Sequence, residues 1–262
     1  MRILVTNDDG IDAPGLSAVA AALVASGHDV VVGAPAYESS GSGTSLGTLE
    51  HGAIIPVENR RLPELPRVDA FAFDCPPAFA VLAFCAGQFG PAPDLVVSGI
   101  NPGHNTGRSV LFSSTVGAVL TARIAGIGGV AISCGFPPSH RFDTAAEVTT
   151  RIVRWMDDHG ALGLTLNVNV PDLDFDQLGG VRVSTLGARS LLGLRMTRVD
   201  GGVELRRYDN IAGLGTGTDA ATVLAGAVAV TALTTVDSDR STIAATLADV
   251  GDALNPAGAV RM

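Results

Sequence analysis

The chain has 262 residues, 47% hydrophobic but only 5% aromatic, so aliphatic side chains must fill the core of one large α/β domain, or of a core with an appended arm. All 17 basic side chains are arginine, which excludes a catalytic or phosphate-binding lysine, that of a P-loop included. A net charge of −9 excludes a broad basic surface for a nucleic-acid duplex, and an anionic ligand would need local compensation from a bound cation or from helix N-termini.

Residues 2–6 predict a short strand that ends on a polar loop. Its apolar part, Ile3-Leu4-Val5, is too short for a signal peptide and runs into two aspartates. Pro14 to Ser26 predicts an Ala- and Leu-rich helix, with Pro14 in the first turn and Gly27 as its stop. Asp29 to Val32 follows as a second strand, and the strand–acidic loop–helix–strand unit predicts a parallel sheet. Residues 34–50, rich in Gly, Ser, Pro and Thr, form a loop of a length that is usually functional or disordered. Strands are expected at Ala53–Val57 and Val68–Phe73, a helix at Pro77–Ala86, and a strand at Asp94–Ser98 followed by a loop from Gly99 to Arg108. The window from Val68 to Phe84 carries Asp69, Asp74 and Pro76-Pro77, so no membrane span is expected there or elsewhere.

Residues 114–125 predict a helix and Val130–Ser133 a strand. Phe142–Asp158 predicts an amphipathic helix with Thr144, Ala145, Val148, Ile152 and Trp155 toward one side, and Leu164–Val168 a further strand. From about residue 180 the pattern changes. Val181–Val183 and Val203–Leu205 read as antiparallel strands, Ala227–Leu233 as another, and Thr242–Val250 as a closing helix. The expected architecture is a Rossmann-like, doubly wound α/β fold with a mostly parallel sheet over about 1–178 and an extended C-terminal β/α region over about 179–262. Cys75, Cys85 and Cys134 form no CxxC pair and no zinc-finger spacing, which fits reduced, buried thiols and a cytoplasmic location.

Ligands bind at the carboxyl ends of the strands in an open α/β sheet, which singles out three loops. In the first, Asn7-Asp8-Asp9-Gly10, adjacent carboxylates repel unless a cation or donor bridges them; a hard divalent ion fits, and so does a polar turn on Asp9-Gly10. No GxGxxG follows the first strand, which disfavours a flavin or dinucleotide. In the second, residues 38–45, small residues and hydroxyls would let the backbone approach an anion, or would form a flexible surface loop. In the third, Asn101 offers an oxygen to a metal or an amide to a phosphate, and His104 is a candidate acid or base. Ser113, Ser114 and Thr115 precede an apolar helix, as an anion site or as ordinary N-capping. Asn167 and Asn169, at the end of a later strand, are expected to hold a neighbouring loop through side-chain hydrogen bonds.

Taken together these segments resemble the SurE family of 5′/3′-nucleotidases. The resemblance is carried by Met-Arg-Ile-Leu-Val-Thr-Asn-Asp-Asp-Gly-Ile with Pro14-Gly15-Leu16, by Ala34-Pro35, Glu38, Ser40-Gly41 and Ser45-Leu46, and by Pro93 to Asn101 with Gly103, Asn105 and Gly107. Ser113, Thr115 to Gly117, Asn167-Val168-Asn169 with Pro171, Thr218-Asp219, Val230-Thr231 and Leu233 continue it in order. It implies a phosphomonoesterase acting on nucleoside monophosphates. It also implies one divalent ion, Mg²⁺ or Mn²⁺, held by Asp8, Asp9, Ser40 and Asn101, with Asp8 and Asp9 catalytic. Asn101, His104, Arg108, Ser113, Ser114 and Thr115 are the expected phosphate and substrate contacts. The family's C-terminal region exchanges between subunits, which implies a homodimer or homotetramer. Three departures stand out: Ser39 replaces the usual Arg, Asp74 to Phe79 replaces a Gly-Thr-Pro-Ala-Asp-Cys stretch, and Ser114 replaces a Gly. The expectation is retained metal binding with altered substrate preference or rate.

Overall fold

Alternation along the strands sends successive side chains to opposite faces and so builds two hydrophobic layers. Ile3 and Val5, Val30 and Val32, Leu95 and Val97, and Val130 and Ile132 pack into one buried cluster, whereas Leu4, Val31, Val96 and Ala131 pack into the other. The computed structural model describes residues 1–48, 50–135 and 140–234; the closing helix expected at Thr242–Val250 lies outside them.

Among the described residues the strands are β1 (Arg2–Thr6), β2 (Asp29–Pro35), β3 (Val57–Arg60), β4 (Ala70–Phe73), β5 (Leu95–Pro102), β6 (Gly128–Cys134), β7 (Thr165–Asn169), β8 (Val181–Val183), β9 (Leu192–Val199), β10 (Gly202–Asp209) and β11 (Val228–Ala232). The helices are α1 (Pro14–Ala25), α2 (Pro77–Cys85), α3 (Ser114–Ile124), α4 (Phe142–Asp158) and α5 (Asp219–Leu224), with a 3₁₀ turn at Gly107–Phe112. Nine strands form one sheet in the order β3-β4-β2-β1-β5-β6-β7-β11-β8; β9 and β10 pair only with each other and form a hairpin arm. From β4 to β7 neighbours are parallel, while β3 and β11 run antiparallel to β4 and β7. The α/β, doubly wound, mostly parallel fold is therefore as expected. α1 and α4 cover one face, α2 and α3 the other.

Several local expectations need correction. Val181–Val183 is not antiparallel: β8 runs parallel to β11, and the antiparallel partner of the Val203 segment is β9, which sequence reading missed. The strand expected at Ala53–Val57 begins only at Val57. β5 does not stop at Ser98 but continues through Pro102, after a register shift against β6 between Ser98 and Asn101. Gly99, at φ +131°, makes that path feasible, since a Cβ there would overlap the Ile132 carbonyl oxygen. Trp155, expected on the amphipathic face of α4, is 47% exposed.

The order of strands reverses at β1, which lies between β2 and β5. That is the crevice in which open α/β sheets bind ligands, at the carboxyl ends of the strands. Asn7 follows β1, Ala36 follows β2, and Asn101 ends on β5, so the three loops singled out above converge there.

Candidate active site

Asp8 is 3% exposed at the end of β1 and is held in place by α3. Its Oδ1 accepts a hydrogen bond from the Thr115 hydroxyl at 2.6 Å, and the Thr115 amide also donates to it. Its own carbonyl accepts from the Ser39 amide at 2.7 Å, which ties the second loop to the first. The loop reaches this close because α3 carries Gly117: a Cβ there would overlap the Gly43 carbonyl oxygen and lie 2.6 Å from its carbon. Ser114, fully buried, shares a hydrogen bond with Ser42 at 2.8 Å and donates to the Ser39 carbonyl at 3.1 Å.

Asp8, Asp9, Ser40 and Asn101 line one cavity of about 430 Å³, together with Glu38, His104, Asn105, Phe112 and Ser113. The four expected ligands thus come together. The Oδ2 of Asp9 is buried with no hydrogen-bond partner, and so is the Oδ1 of Asn7. Burial pushes the Asp9 carboxyl up to about 7, and the Asp8 and Glu38 carboxylates push it the same way. Burial also raises Asp8, against the Thr115 hydroxyl, which favours its ionised form. The Asn101 amide group donates to the Gly103 carbonyl, which leaves the side-chain oxygen as the atom it offers to the cavity. An orphaned carboxylate oxygen beside a second carboxylate and two neutral oxygen donors fits a hard divalent cation. Among the described residues no three His, Cys, Asp or Glu side chains gather as a metal-binding cluster, and the donors that Ser40 and Asn101 bring to the cavity are neutral oxygens.

The expected phosphate contacts divide. Ser113 lines the cavity and caps α3, its Oγ accepting from the Val116 amide at 3.2 Å. Ser114 and Thr115 face inward and serve the loop and Asp8. His104 lines the cavity, but its Nε2 donates to the Val170 carbonyl at 2.9 Å, and burial lowers its pKa. Arg108 is exposed and is not among the cavity-lining residues.

Asn167 and Asn169 hold the third loop, as expected. Both amides donate to the Asn105 carbonyl at 2.9 Å, the Asn105 amide donates to Asn169 Oδ1 at 2.8 Å, and Asn105 Nδ2 donates to Ser133 Oγ at 2.9 Å. Sequence reasoning missed the arm altogether as part of the site: Leu192 and Leu194 of β9 and Leu205 and Arg207 of β10 line the same cavity. The signal was there in Asp200-Gly201, a hairpin-turn pair between two strand-like runs, with Gly201 at φ +79°. It also missed Asp219, whose carboxylate accepts from the amides of Gly107, Gly187 and Ala220. A separate, apolar cavity of about 480 Å³ between α4 and β7, β11 and β8 has, among the described residues, Arg151 as its only charged lining residue.

The family model described as Survival protein SurE matches residues 3–192, a segment that holds Asp8, Asp9, Ser40, Asn101 and Ser113 and ends on the first residue of β9. A 5′-nucleotidase SurE of Xanthomonas axonopodis pv. citri is 40% identical over 192 residues, covering 72% of this chain and 71% of that protein. A 5′-nucleotidase SurE of Thermosynechococcus vestitus is 37% identical over 201 residues, 76% of this chain and 75% of the relative. The crystal structure of SurE protein from Aquifex aeolicus superposes with a TM-score of 0.80 at 29% identity, covering 96% of this chain and all of that one. Matched in sequence across most of its length and in fold across nearly all of it, the chain belongs to the SurE family.

Proposed function

We propose that this protein is a divalent-metal-dependent phosphomonoesterase that hydrolyses nucleoside 5′- or 3′-monophosphates to nucleoside and phosphate. The observation that carries the reading is the convergence of Asp8, Asp9, Ser40 and Asn101 on one cavity at the strand-order reversal, with the Asp9 Oδ2 buried and unpartnered. Its relatives named 5′-nucleotidase support the substrate class. Asp8, Asp9, Ser40 and Asn101 would hold one Mg²⁺ or Mn²⁺. When bound, the cation polarises a phosphoryl oxygen and acidifies water.

The protein's own groups do the rest. α3 fixes Asp8 through the Thr115 hydroxyl and amide, so one carboxylate is locked before substrate arrives. Asp9, the less buried of the two, accepts a hydrogen bond from the attacking water and takes its proton. Water adds to phosphorus as the ester P–O bond breaks, the leaving alkoxide takes a proton from solvent to give the free nucleoside, and Asp9 returns to solvent the proton it took. Ser113, at the cavity wall, donates its hydroxyl to a phosphoryl oxygen. A phosphate-release assay with several nucleoside monophosphates checks this. Release is expected with Mn²⁺ or Mg²⁺, and loss to background after chelation, restored by adding the metal back. Saturable binding without release would instead favour a nucleotide-binding protein with little turnover. Release only from sugar phosphates or polyphosphate would favour a phosphatase of another substrate class.

The same reading includes a cytoplasmic homodimer or homotetramer. Among the described residues Cys75, Cys85 and Cys134 are unpaired, and no helix is long and apolar enough to cross a membrane. Support for self-association is the apolar surface that the arm leaves exposed at Met196, Val199 and Val203. Light scattering at micromolar protein is expected to give two or four times the mass of one chain; a monomer would overturn it.

A further inference from the structure

The hairpin arm turns one of its faces to the cavity. In the antiparallel register Leu194 stands opposite Arg207 and Met196 opposite Leu205, so Leu192, Leu194, Leu205 and Arg207 share a face. The opposite face carries Arg195 and Tyr208, the guanidinium of the first lying 5.6 Å from the ring centroid of the second. All four residues of the first face line the cavity that holds Asp8, Asp9, Ser40 and Asn101.

Charge makes this arrangement informative. Among the described residues the cavity wall carries three carboxylates, those of Asp8, Asp9 and Glu38, and Arg207 is the only arginine or lysine lining it. A single divalent cation leaves that cluster net negative, and a phosphate monoester brings up to two further negative charges. The residue before Ser40 is the neutral Ser39, the chain has no lysine, and the exposed Arg108 is not among the residues lining the cavity. A guanidinium offers paired donors in a fork that matches phosphate oxygens. Apolar surface accompanies it: Leu194 is 50% exposed, Leu205 52% and Phe112 62%, all at the cavity wall. Half-exposed leucines and a phenyl ring beside a polar centre suit the flat face of a base rather than solvent.

We propose that the β9–β10 arm is the substrate-recognition wall, with Arg207 binding the phosphate and Leu192, Leu194 and Leu205 covering the nucleoside opposite Phe112. The proposal rests on the nucleotidase reading, and it concerns residues that, after Leu192, lie beyond the segment matched by the family model. It explains how a site that lacks a basic residue next to Ser40 still attracts a dianion: the cation comes from a different part of the chain.

The test compares the wild type with Arg207→Gln, Arg207→Lys and Leu194→Ser, all at exposed positions where the fold is expected to persist, checked by an unchanged thermal midpoint. Substrates are a nucleoside monophosphate and glycerol phosphate, with inorganic phosphate as competitive inhibitor. Arg207→Gln is expected to raise KM for both substrates, and Ki for inorganic phosphate, by roughly tenfold to a hundredfold, with kcat nearly retained. Arg207→Lys recovers part of that loss. Leu194→Ser raises KM for the nucleotide alone. An Arg207→Gln protein with unchanged KM and Ki overturns the arginine's role; equal nucleotide KM in Leu194→Ser overturns the wall. A wild type that releases no phosphate from any nucleotide overturns the nucleotidase reading instead. Calorimetric binding of inorganic phosphate, weakened or not in Arg207→Gln, then still decides the arm.

Discussion

Replacing Asp9 with asparagine is expected to lower nucleotide turnover by about a thousandfold or more, the scale at which removal of a charged or polar catalytic group acts. The same change is expected to raise the thermal midpoint of the metal-free protein. Without a cation, Asp9 is a carboxylate that burial, Asp8 and Glu38 all disfavour, and its Oδ2 has no partner. An amide of the same shape removes the repulsion and keeps the volume. Activity and stability therefore move in opposite directions, which a merely structural aspartate would not produce. Metal supplies a second readout. The wild type at a free metal concentration of 100 times its Kd gains about 2.7 kcal/mol. For a chain of this size that is a rise of roughly 5–10 °C. In Asp9→Asn most of that rise is expected to be lost, because one of the two carboxylates proposed as ligands is gone. A variant that keeps both full turnover and the metal-induced rise would sink the assignment of Asp9 as ligand and catalytic group. Asp8→Asn is expected to lose turnover as well, with a smaller gain in metal-free stability, since its Oδ1 already has the Thr115 hydroxyl as donor.

These residues were legible because local chemistry declares them. Asp8 and Asp9 side by side after an apolar strand are costly without a reason, and Pro14 and Gly27 bracket α1 by rules that need no tertiary information. The places that misled are those where distant pairing decides. Gly99-Ile100-Asn101-Pro102 carries turn residues, yet β6 continues to pair with it, Asn101 opposite Ser133 and Pro102 opposite Cys134. Asn101 consequently leaves a strand end, not a loop, and its position is set by the sheet. Val181–Val183 has strand character in sequence, but its direction relative to β11 is a property of topology. Ser114 and Thr115 look like phosphate ligands at a helix start; only the approach of the Ser39–Gly43 loop and of Asp8 reveals that their hydroxyls already have partners. Arg207 was invisible for the same reason. Nothing local distinguishes it from Arg206, its neighbour on the opposite face of the arm.

Asp219→Ala is expected to cost about 2–4 kcal/mol of stability, and to lower the thermal midpoint by roughly 5–15 °C. Asp219 is fully buried at the start of α5, and its two oxygens accept from three amides: Gly107 at 2.7 Å, Gly187 at 3.1 Å and Ala220 at 2.8 Å. Burial raises its pKa although all three amides favour the charged form, so the carboxylate sits where desolvation is severe and the hydrogen bonds offset it. Alanine leaves those amides without their acceptor. Asparagine keeps one oxygen and is expected to lose about half as much. The effect on function follows from what the three amides belong to. Gly107 opens the 3₁₀ turn that leads to Ser113 at the cavity, and Gly187 belongs to the stretch that leads into β9. One residue before Gly107, Thr106 accepts the Leu191 amide at 3.0 Å, and Ser190 beside it lines the cavity. Asp219 thus pins the root of the arm to the segment after β5 that carries Asn105 and Gly107, although it is not among the residues lining the cavity. At a temperature where both proteins are folded, Asp219→Asn should raise KM for nucleotides more than it lowers kcat, since Asp8 and Asp9 keep their supports while the arm loses its anchor. Urea unfolding with an unchanged slope measures the first effect, and steady-state kinetics the second. Wild-type stability in Asp219→Ala would mean that water replaces the carboxylate at all three amides. An unchanged KM in Asp219→Asn would mean that the arm is held by Thr106 and Ser190 alone.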